Sequence, residues 1–288
     1  MAEAPQDAGA RDFRPVKSAY RALDVLEALT VGPAGLSELA RRLDIPKSSL
    51  HGLLRTLSER GWVTSHGGTF RLGLRALQVG ARFIDEDEVV ARVAPSLDRL
   101  AAVTGETVQH ARLDGDQVVY LAKRDSAHQV RLVSSIGSRL PAHATALGKS
   151  LLAARDDDTV AALLSPPMRA LTARTVTSWE ALAAQLADAR ERGYAVDDGE
   201  AAEGLRCFAV TVPSDGLDRG PYGASVRGPD GGAGPDGRRD GSAAPSDAIS
   251  VSVPAFRLDT EGEAALVRSL LEVRASLGRG LPPLSGRP

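Results

Sequence analysis

The sequence GLSELARRLDIPKSSLHGLLRTLSERGWV at residues 35–63 contains two short helical patterns joined by three residues. In the first pattern, Ser37 to Leu43, apolar residues recur at helical spacing and Ser37 is a candidate N-cap. In the second, one apolar stripe is formed by Leu50, Leu53, Leu54 and Leu57. Because the connection Asp44-Ile45-Pro46 is tight, the stretch predicts two helices joined by a turn.

A further helix precedes this stretch and a hairpin follows it. Apolar residues at helical spacing run up to Gly32-Pro33, and they are Ala19, Ala22, Leu23, Leu26 and Leu29. Downstream, residues 62–64 and 69–72 are β-rich runs around the turn His66-Gly67-Gly68. Three helices followed by a hairpin is the order of a winged helix-turn-helix, which we predict for residues 16–75.

The third predicted helix has a polar face opposite its leucines. Short hydrogen-bond donors and cations make up this face, and no acid interrupts them before Glu59. Such a face can contact phosphates and base edges in a major groove. The predicted DNA-binding residues are Lys47, Ser48, Ser49, His51 and Arg55. Three helices alone are equally compatible with a simple bundle, and the hairpin is what favours DNA binding.

Composition and charge limit the class of protein. A chain of 288 residues, 43% hydrophobic and 25% charged, is typical of two globular domains. Residues 11–82 contain twelve Lys or Arg and six Asp or Glu, whereas residues 83–288 contain 23 and 29. The basic first part indicates binding to a polyanion, with a solvated basic face as the alternative.

Several classes are not expected from this composition. Because the sequence contains no apolar run of about 18 residues and no signal-peptide pattern, we expect no membrane segment and a cytoplasmic location. A single cysteine, Cys207, and five scattered histidines predict neither an intramolecular disulfide nor a metal site. We expect no cofactor.

A linker helix is predicted at residues 76–90 and a second domain at residues 91–280. Two β-rich runs flank the turn signal Asp114-Gly115, and residues 130–134 predict another strand. Capping boxes start two later helices, at Thr177-x-x-Glu180 and Thr260-x-x-Glu263. Because strands and helices do not alternate regularly, we predict an α+β domain with an antiparallel sheet.

Residues 214–247 differ in composition from the rest of the domain. They contain nine of the 29 glycines, four prolines and six aspartates, and too few apolar residues to offset the entropy of ordering. We predict a disordered insertion between strands at residues 205–212 and 248–253, and disordered tails at residues 1–15 and 281–288. A tolerated surface insertion and a partner-binding segment are both compatible with this composition.

The segment HATALGKS at residues 143–150 is similar to a phosphate-binding loop. That motif requires a glycine where this chain has His143, and no acidic partner for magnesium is apparent. The backbone amides at this helix start could nevertheless hold a carboxylate as well as a phosphate. An enzyme or nucleotide-binding protein that uses this loop is therefore the alternative function, although no nucleophile, base and orienting acid form a recognisable set.

The sequence resembles the IclR family of bacterial regulators in both halves. The similarity lies in SAYRALDVLEAL, in residues 35–63, in FRLG after the predicted turn, and in LPAHATALGKSLLA, GYAVDDGEAAEGLRCFAV and AISVSVP. This resemblance implies that residues 47–58 are the recognition helix and that the second domain is a GAF-like effector-binding domain. One difference is Gly52, where many members carry a long basic or polar residue.

The resemblance also implies an effector pocket, because family members that bind small α-keto acids line it with matching positions. These positions are Ala146, Leu147, Asp197, Cys207, Ser250 and Ser252. The two serines are two apart on a strand, so both hydroxyls should face the same cavity. Asp197 would repel a carboxylate and is expected to accept a hydrogen bond from a ligand hydroxyl or hydrated carbonyl.

Simpler interpretations of these residues exist. Cys207 could equally be a small buried core residue. The two serines could simply hydrogen-bond neighbouring backbone groups of the strand. Asp197 could serve only to hold the turn at Asp198-Gly199. Leu147 is bulkier than the small residue found in keto-acid sensors, which leaves the identity of the ligand open.

These observations predict a DNA-binding transcriptional regulator, a repressor rather than an activator, that responds to a small organic acid such as glyoxylate or pyruvate. Double-stranded DNA with an inverted-repeat operator is the expected partner, bound by a homodimer or homotetramer. A DNA-architectural protein without a ligand is a further alternative, and ligand-independent DNA binding would distinguish it.

Overall fold

The computed structural model describes residues 16–128, 135–164, 166–213 and 244–278. Its contacts divide the chain into two units, residues 1–86 and 87–288. Several predicted segments lie outside the described residues, namely both tails, the strand at 130–134 and residues 214–243 of the insertion. None of the described helices is both long and apolar enough to span a membrane.

The first unit contains helices and a small antiparallel sheet. The helices are α1 (Lys17–Ala28), α2 (Leu36–Arg42), α3 (Lys47–Glu59) and α4 (Leu74–Glu86). The strands are β1 (Ala34–Gly35), β2 (Val63–His66) and β3 (Thr69–Leu72), in the order β1-β3-β2. The predicted winged helix-turn-helix is confirmed.

The turn between α2 and α3 depends on one backbone conformation. Asp44 has a φ of 49°, in the left-handed region that aspartate tolerates better than most residues. The predicted start of α2 was wrong, because Gly35 and not Ser37 precedes the helix as its N-cap. Gly35 still belongs to β1 and has an extended backbone, so Ser37 already lies in the first helical turn.

The second unit is built on a six-stranded antiparallel sheet with the order β6-β5-β4-β9-β8-β7. Its strands are β4 (Thr107–Asp114), β5 (Gln117–Arg124), β6 (Arg139–Pro141), β7 (Ala195–Asp198), β8 (Leu205–Thr211) and β9 (Asp247–Pro254). Its helices are α5 (Glu88–Thr104), α6 (Ala146–Ala153), α7 (Asp157–Leu163), α8 (Trp179–Arg192) and α9 (Thr260–Leu277). The predicted α+β class is confirmed.

Helices cover both faces of this sheet. On one face, Leu97 of α5 and Leu270 of α9 pack with Phe208 of β8. On the other, Leu151 of α6 and Leu186 of α8 belong to a second core. Because alternate residues of a strand enter different cores, β9 is buried along its whole length.

Two helix starts differ by one residue from the predicted position. The side chain of Ser178, and not that of Thr177, accepts a backbone N–H of α8. At α9 the cap is Asp259 and not Thr260. In both cases the capping residue is the last one with an extended backbone before the helix.

Asp247 lies in β9, so the predicted C-terminal bound of the insertion was wrong. Its Oδ1 is 2.7 Å from His110 Nε2, and its Oδ2 accepts a hydrogen bond from Arg112 Nε at 2.9 Å. Arg112 also donates to Asp87, the N-cap of α5. Burial acts to raise the pKa of Asp247, but the hydrogen bonds from His110 and Arg112 lower this pKa to about 2. We call Asp247, His110, Arg112 and Asp87 the Asp247 network.

Candidate functional site

The polar face of α3 is exposed in the first unit. Leu50, Leu54 and Leu57 are buried in the core, whereas the five predicted DNA-binding residues are exposed, namely Lys47, Ser48, Ser49, His51 and Arg55. Arg55 Nε lies 3.0 Å from the carboxylate of Glu59, and both side chains are mostly exposed. Exposed pairs of this kind contribute little free energy, so the guanidinium can exchange Glu59 for a phosphate.

Gly52 lies in the middle of the same exposed face. A Cβ added there would meet nothing within 4 Å. The space beside Gly52 is therefore empty, and the neighbouring cations provide the charge of this face.

A cavity of about 180 Å³ lies in the second unit between the start of α6 and the sheet. It is lined by Gln109, Tyr120, Leu140, Thr145, Ala146, Leu147, Asp197, Ala201, Ala202, Leu205, Cys207 and Ser250. Five of the six predicted effector-binding residues are in this wall. Ser252 is the exception.

The start of α6 lies beside this cavity, because Thr145, Ala146 and Leu147 line it. Thr145 is the N-cap, and its hydroxyl accepts the N–H of Gly148 at 2.9 Å. The N–H groups of Ala146 and Leu147 belong to the first turn, where a helix offers no acceptor of its own. An anion or carbonyl oxygen placed there would be stabilised by these amides and by the helix dipole.

The Gly148-Lys149-Ser150 sequence serves the packing of this helix. A Cβ on Gly148 would lie 2.1 Å from the carbonyl oxygen of Ala142, so only glycine fits. Lys149 is buried, and its Nζ donates to Glu200 Oε1 at 2.6 Å and to Gln185 Oε1 at 3.0 Å. Since the lysine is held by these two partners, it does not extend toward a ligand as the lysine of a phosphate-binding loop does.

Asp197 both lines the cavity and holds a turn. Its Oδ1 accepts the backbone N–H groups of Glu200 at 2.6 Å and Ala201 at 3.2 Å. Burial raises the pKa of Asp197 to about 6, although these hydrogen bonds and the Lys149 charge act to lower it. Cys207 is its cross-strand neighbour, and burial raises the pKa of that thiol.

The two serines share a face of β9 but have different surroundings. Both hydroxyls donate to Gln109 Oε1, Ser250 at 3.3 Å and Ser252 at 3.2 Å. Ser250 lines the cavity, whereas Ser252 is not among the lining residues. Ser252 instead contacts Gln109 and the Cys207 thiol, which occupy the space above it.

The sequence interpretation did not include Gln109 and Tyr120. Gln109 is a polar residue in the otherwise β-rich β4, and its cross-strand partner is Ser250. A polar residue in a buried strand was the available signal for Gln109, whereas Tyr120 has no comparable signal. Thr145 was recognisable as a candidate N-cap directly before the helix.

The cavity therefore combines amides at a helix start, hydroxyl groups and one buried carboxyl group. Among the described residues, no group of three or more His, Cys, Asp or Glu could hold a metal ion. The first unit is a winged helix with a basic face, and the second encloses a space for a small polar molecule. Together these features define a DNA-binding regulator with a ligand-sensing domain.

Comparison with known proteins identifies the family. The model of the IclR helix-turn-helix domain matches residues 18–67, and the model of the C-terminal domain of the bacterial transcriptional regulator IclR matches residues 81–230. The chain belongs to the IclR family of bacterial transcriptional regulators.

Two curated relatives come from Escherichia coli K12. The chain is 37% identical over 201 residues to the HTH-type transcriptional regulator KdgR, covering 68% of this chain and 76% of that protein. It is 36% identical over 222 residues to the transcriptional repressor IclR, covering 74% and 80%.

Solved structures show the same fold. An IclR transcriptional regulator from Alicyclobacillus acidocaldarius matches with a TM-score of 0.74 and 26% identity, over 92% of this chain and 99% of that one. An IclR homolog from Microbacterium hydrocarbonoxydans, complexed with 4-hydroxybenzoate, matches with a TM-score of 0.66 and 21% identity, over 91% and 100%. At 21% identity, the similarity to the Microbacterium hydrocarbonoxydans protein shows a shared fold and nothing more.

Proposed function

We propose that this regulator is a repressor whose affinity for operator DNA changes when a small organic acid occupies the cavity beside α6. The observation that carries this proposal is the cavity itself, which is lined by Ala146 and Leu147 at the start of α6, where backbone amides can bind an anion. The proposed function includes no catalytic step and no cofactor. Because its target is chromosomal DNA, we place its action in the bacterial cytoplasm.

DNA binding is assigned to the exposed face of α3. Lys47 and Arg55 would contact phosphates or guanine edges, while the serines and His51 offer shorter hydrogen-bonding groups. The hairpin of β2 and β3 has Gly67 and Gly68 at positive φ, which gives a tight tip suited to lie beside the duplex.

An inverted-repeat operator requires two copies of this chain. In the first unit, α4 has no buried residue, and it exposes Leu74, Leu77 and Val79. Helix α1 exposes Tyr20 and Leu23. Several large apolar side chains left exposed on one helix are typical of an interface, which supports a homodimer or a dimer of dimers.

The effector is proposed to be a small carboxylate. Glyoxylate and pyruvate fit the resemblance to keto-acid sensors, and the homolog complexed with 4-hydroxybenzoate adds an aromatic acid to the class. The carboxylate would accept hydrogen bonds from the first-turn amides of α6, and Ser250 would contact the opposite end of the ligand. The repressor assignment rests on the relative named transcriptional repressor IclR.

The DNA-binding helix is tested with Lys47→Ala combined with Arg55→Ala. An operator selected from a random DNA library with the wild-type protein serves as the probe, and fluorescence anisotropy measures affinity at several salt concentrations. Each lost contact should cost about 1–3 kcal/mol, so affinity should fall tenfold or more and depend less steeply on salt. Arg99→Ala, an exposed arginine of α5, is the matched control and should bind like the wild type. Unchanged binding of the double variant contradicts the assignment of α3.

The effector cavity is tested with Ser250→Ala against Ser252→Ala. Both variants remove a hydroxyl that bonds Gln109, but only Ser250 lines the cavity. Loss of a hydrogen bond to a charged ligand costs about 1.5–3 kcal/mol, so Ser250→Ala should weaken acid binding roughly ten- to a hundredfold. Ser252→Ala should bind the acid within a few-fold of the wild type. Calorimetry with pyruvate, glyoxylate and 4-hydroxybenzoate measures this, and equal effects of the two variants would place the ligand elsewhere.

A further inference from the structure

The cavity proposed to hold an acid anion has an unexpected charge. Among its twelve described lining residues, no lysine, arginine or histidine is present, and the single ionisable acid is Asp197. Asp197 is 1% exposed, so solvent does not screen its charge. An ionised Asp197 beside a carboxylate would place two negative charges and no intervening proton in one buried space.

The neighbouring charges do not compensate Asp197. The titratable groups that interact with it are Lys149 from α6, Glu200 from the following turn, Cys207 from β8 and Tyr120 from β5. Lys149 is bound to Glu200 at 2.6 Å, so these two charges largely cancel. Burial keeps Cys207 and Tyr120 in their neutral forms, because it raises the pKa of both groups. The cluster therefore has a net charge of about −1 when Asp197 is ionised and about zero when it is protonated.

We infer that Asp197 binds the effector as a neutral carboxylic acid, so that each acid anion enters the cavity together with one proton. This inference rests on the proposed function of the cavity. Oδ1 of Asp197 already accepts two backbone N–H groups, which assigns the proton to Oδ2. The protonated oxygen donates a hydrogen bond to a carboxylate oxygen of the ligand, and the two carboxyl groups share one negative charge.

The proton is available near neutral pH at little cost. Burial raises the pKa of Asp197 to about 6 before any ligand is present, and an adjacent carboxylate raises it further. At pH 7, roughly 0.9 proton should therefore be taken up for each acid anion bound. For a complex that stays protonated, the dissociation constant should increase about fivefold from pH 6 to pH 7 and about ninefold from pH 7 to pH 8.

The same contact makes Asp197 a specificity-determining residue. A neutral carboxyl group provides a single donor, so it suits one carboxylate oxygen and gives no compensation for a second negative charge on the ligand. Monocarboxylates should bind in preference to dicarboxylates of similar size. The chain would thus select its ligand by charge as well as by volume.

The test is calorimetry of the full-length protein with glyoxylate, pyruvate and 4-hydroxybenzoate, whose carboxyl groups are ionised throughout pH 6–8. Titrations at pH 7 in phosphate and in Tris, which differ in ionisation enthalpy, give the number of protons taken up. For the wild type we expect close to one proton and a dissociation constant that increases about fiftyfold from pH 6 to pH 8.

Two variants isolate the carboxyl group. In Asp197→Asn, the amide oxygen can still accept the two backbone N–H groups while the amide nitrogen donates to the ligand. This variant should bind without proton uptake and with a dissociation constant that changes less than threefold across the pH range. Asp198→Asn removes an exposed acid one residue away and should retain the pH dependence of the wild type.

The outcomes separate this inference from the function on which it rests. If an acid binds to the wild type without proton uptake, or if Asp197→Asn keeps the pH dependence, the inference is wrong and the proposed function stands. If none of the three acids binds at pH 6 or at pH 8, the proposed effector class is wrong and the inference falls with it.

Discussion

Two buried aspartates of the same sheet, Asp247 on β9 and Asp197 on β7, have opposite electrostatic surroundings. Asp247 is 2% exposed and Asp197 is 1% exposed, so burial disfavours the charge of both. Asp247 bonds His110 and the Arg112 guanidinium directly. Asp197 Oδ1 accepts two backbone N–H groups and its carboxyl group bonds the Cys207 thiol, while the nearby Lys149 is paired with Glu200.

The difference separates a structural carboxylate from one that is suited to a ligand. Compensation by charged partners keeps Asp247 ionised and ties β4 and β9 to the start of α5 through Arg112 and Asp87. Asp197 lines a cavity and has a raised pKa, which is a common property of functional groups.

The largest effect is expected for Asp247→Ala. The change removes the carboxylate that bonds the buried His110 and one of the two carboxylates that bond Arg112, and removal of one partner of a buried ion pair costs about 3–5 kcal/mol. Urea unfolding followed by the fluorescence of Trp179 in a Trp62→Phe background reports on the second unit alone, because the chain has two tryptophans. Asp114→Ala, an exposed acid paired with Arg139, should cost less than about 1 kcal/mol. A loss below 1 kcal/mol for Asp247→Ala would show that the network is not structural.

The next largest effect is expected when the insertion is replaced with or without Asp247. Val212 N–H donates to the Asp247 carbonyl at 2.8 Å, so the two flanking strand ends are adjacent and a short turn can join them. Replacement of residues 214–243 by such a turn should raise the free energy of unfolding by no more than about 2 kcal/mol, since loop length costs only about 0.6 kcal/mol per doubling. Replacement of residues 214–247 should destabilise the unit as Asp247→Ala does. Equal stability of the two deletions would contradict the account of Asp247.

Unlike Asp247→Ala, the substitution Asp197→Asn should stabilise the protein at neutral pH. The pKa of Asp197 is about 6 in the folded protein and 3.8 in the unfolded chain. Ionisation of Asp197 therefore costs no stability below about pH 4, and the free energy of unfolding falls as the pH rises through 6. The variant and the wild type should be equally stable near pH 4 and differ by on the order of 2–3 kcal/mol at pH 8. Thermal unfolding across this range measures the difference. A variant less stable than the wild type at pH 8 would show that the ionised carboxylate is well compensated.

The smallest effect is expected on α3, where no buried charge is involved. Gly52→Ala fills open space in a helix interior and should stabilise the first unit by about 0.5–1 kcal/mol. Fluorescence of Trp62 in a Trp179→Phe background measures it, and the unfolding of the second unit should not change. A destabilised variant would mean that the empty space beside Gly52 is required.

The sequence predicted the winged helix well because its signals are local. The leucine stripe of α3 and the Gly67-Gly68 turn depend on neighbours within a few residues, and both were confirmed. The helix caps at Ser178 and Asp259 were displaced by one residue because adjacent residues have equally suitable side chains. Only the backbone conformation distinguishes such candidates.

The parts that the sequence did not predict depend on distant contacts. Asp247 bonds residues that lie 135 and 137 positions earlier in the chain. Because local composition does not show these bonds, the sequence placed Asp247 in the glycine-rich segment. Gln109 lies 141 residues before Ser250, and no pattern in β4 indicates that it covers both serines. Asp197 was recognised as a candidate, but its uncompensated charge depends on the pairing of Lys149 with Glu200.

The central claim is that Asp197 is a buried carboxyl group that titrates near neutrality while Asp247 stays ionised. NMR of protein labelled with ¹³C at the aspartate carboxyl groups measures both directly, with Asp197→Asn and Asp247→Asn used to assign the two signals. The account predicts that the Asp197 signal titrates near pH 6 and that the Asp247 signal does not change down to about pH 3. An Asp197 signal that titrates below pH 4, like an exposed aspartate, would contradict it.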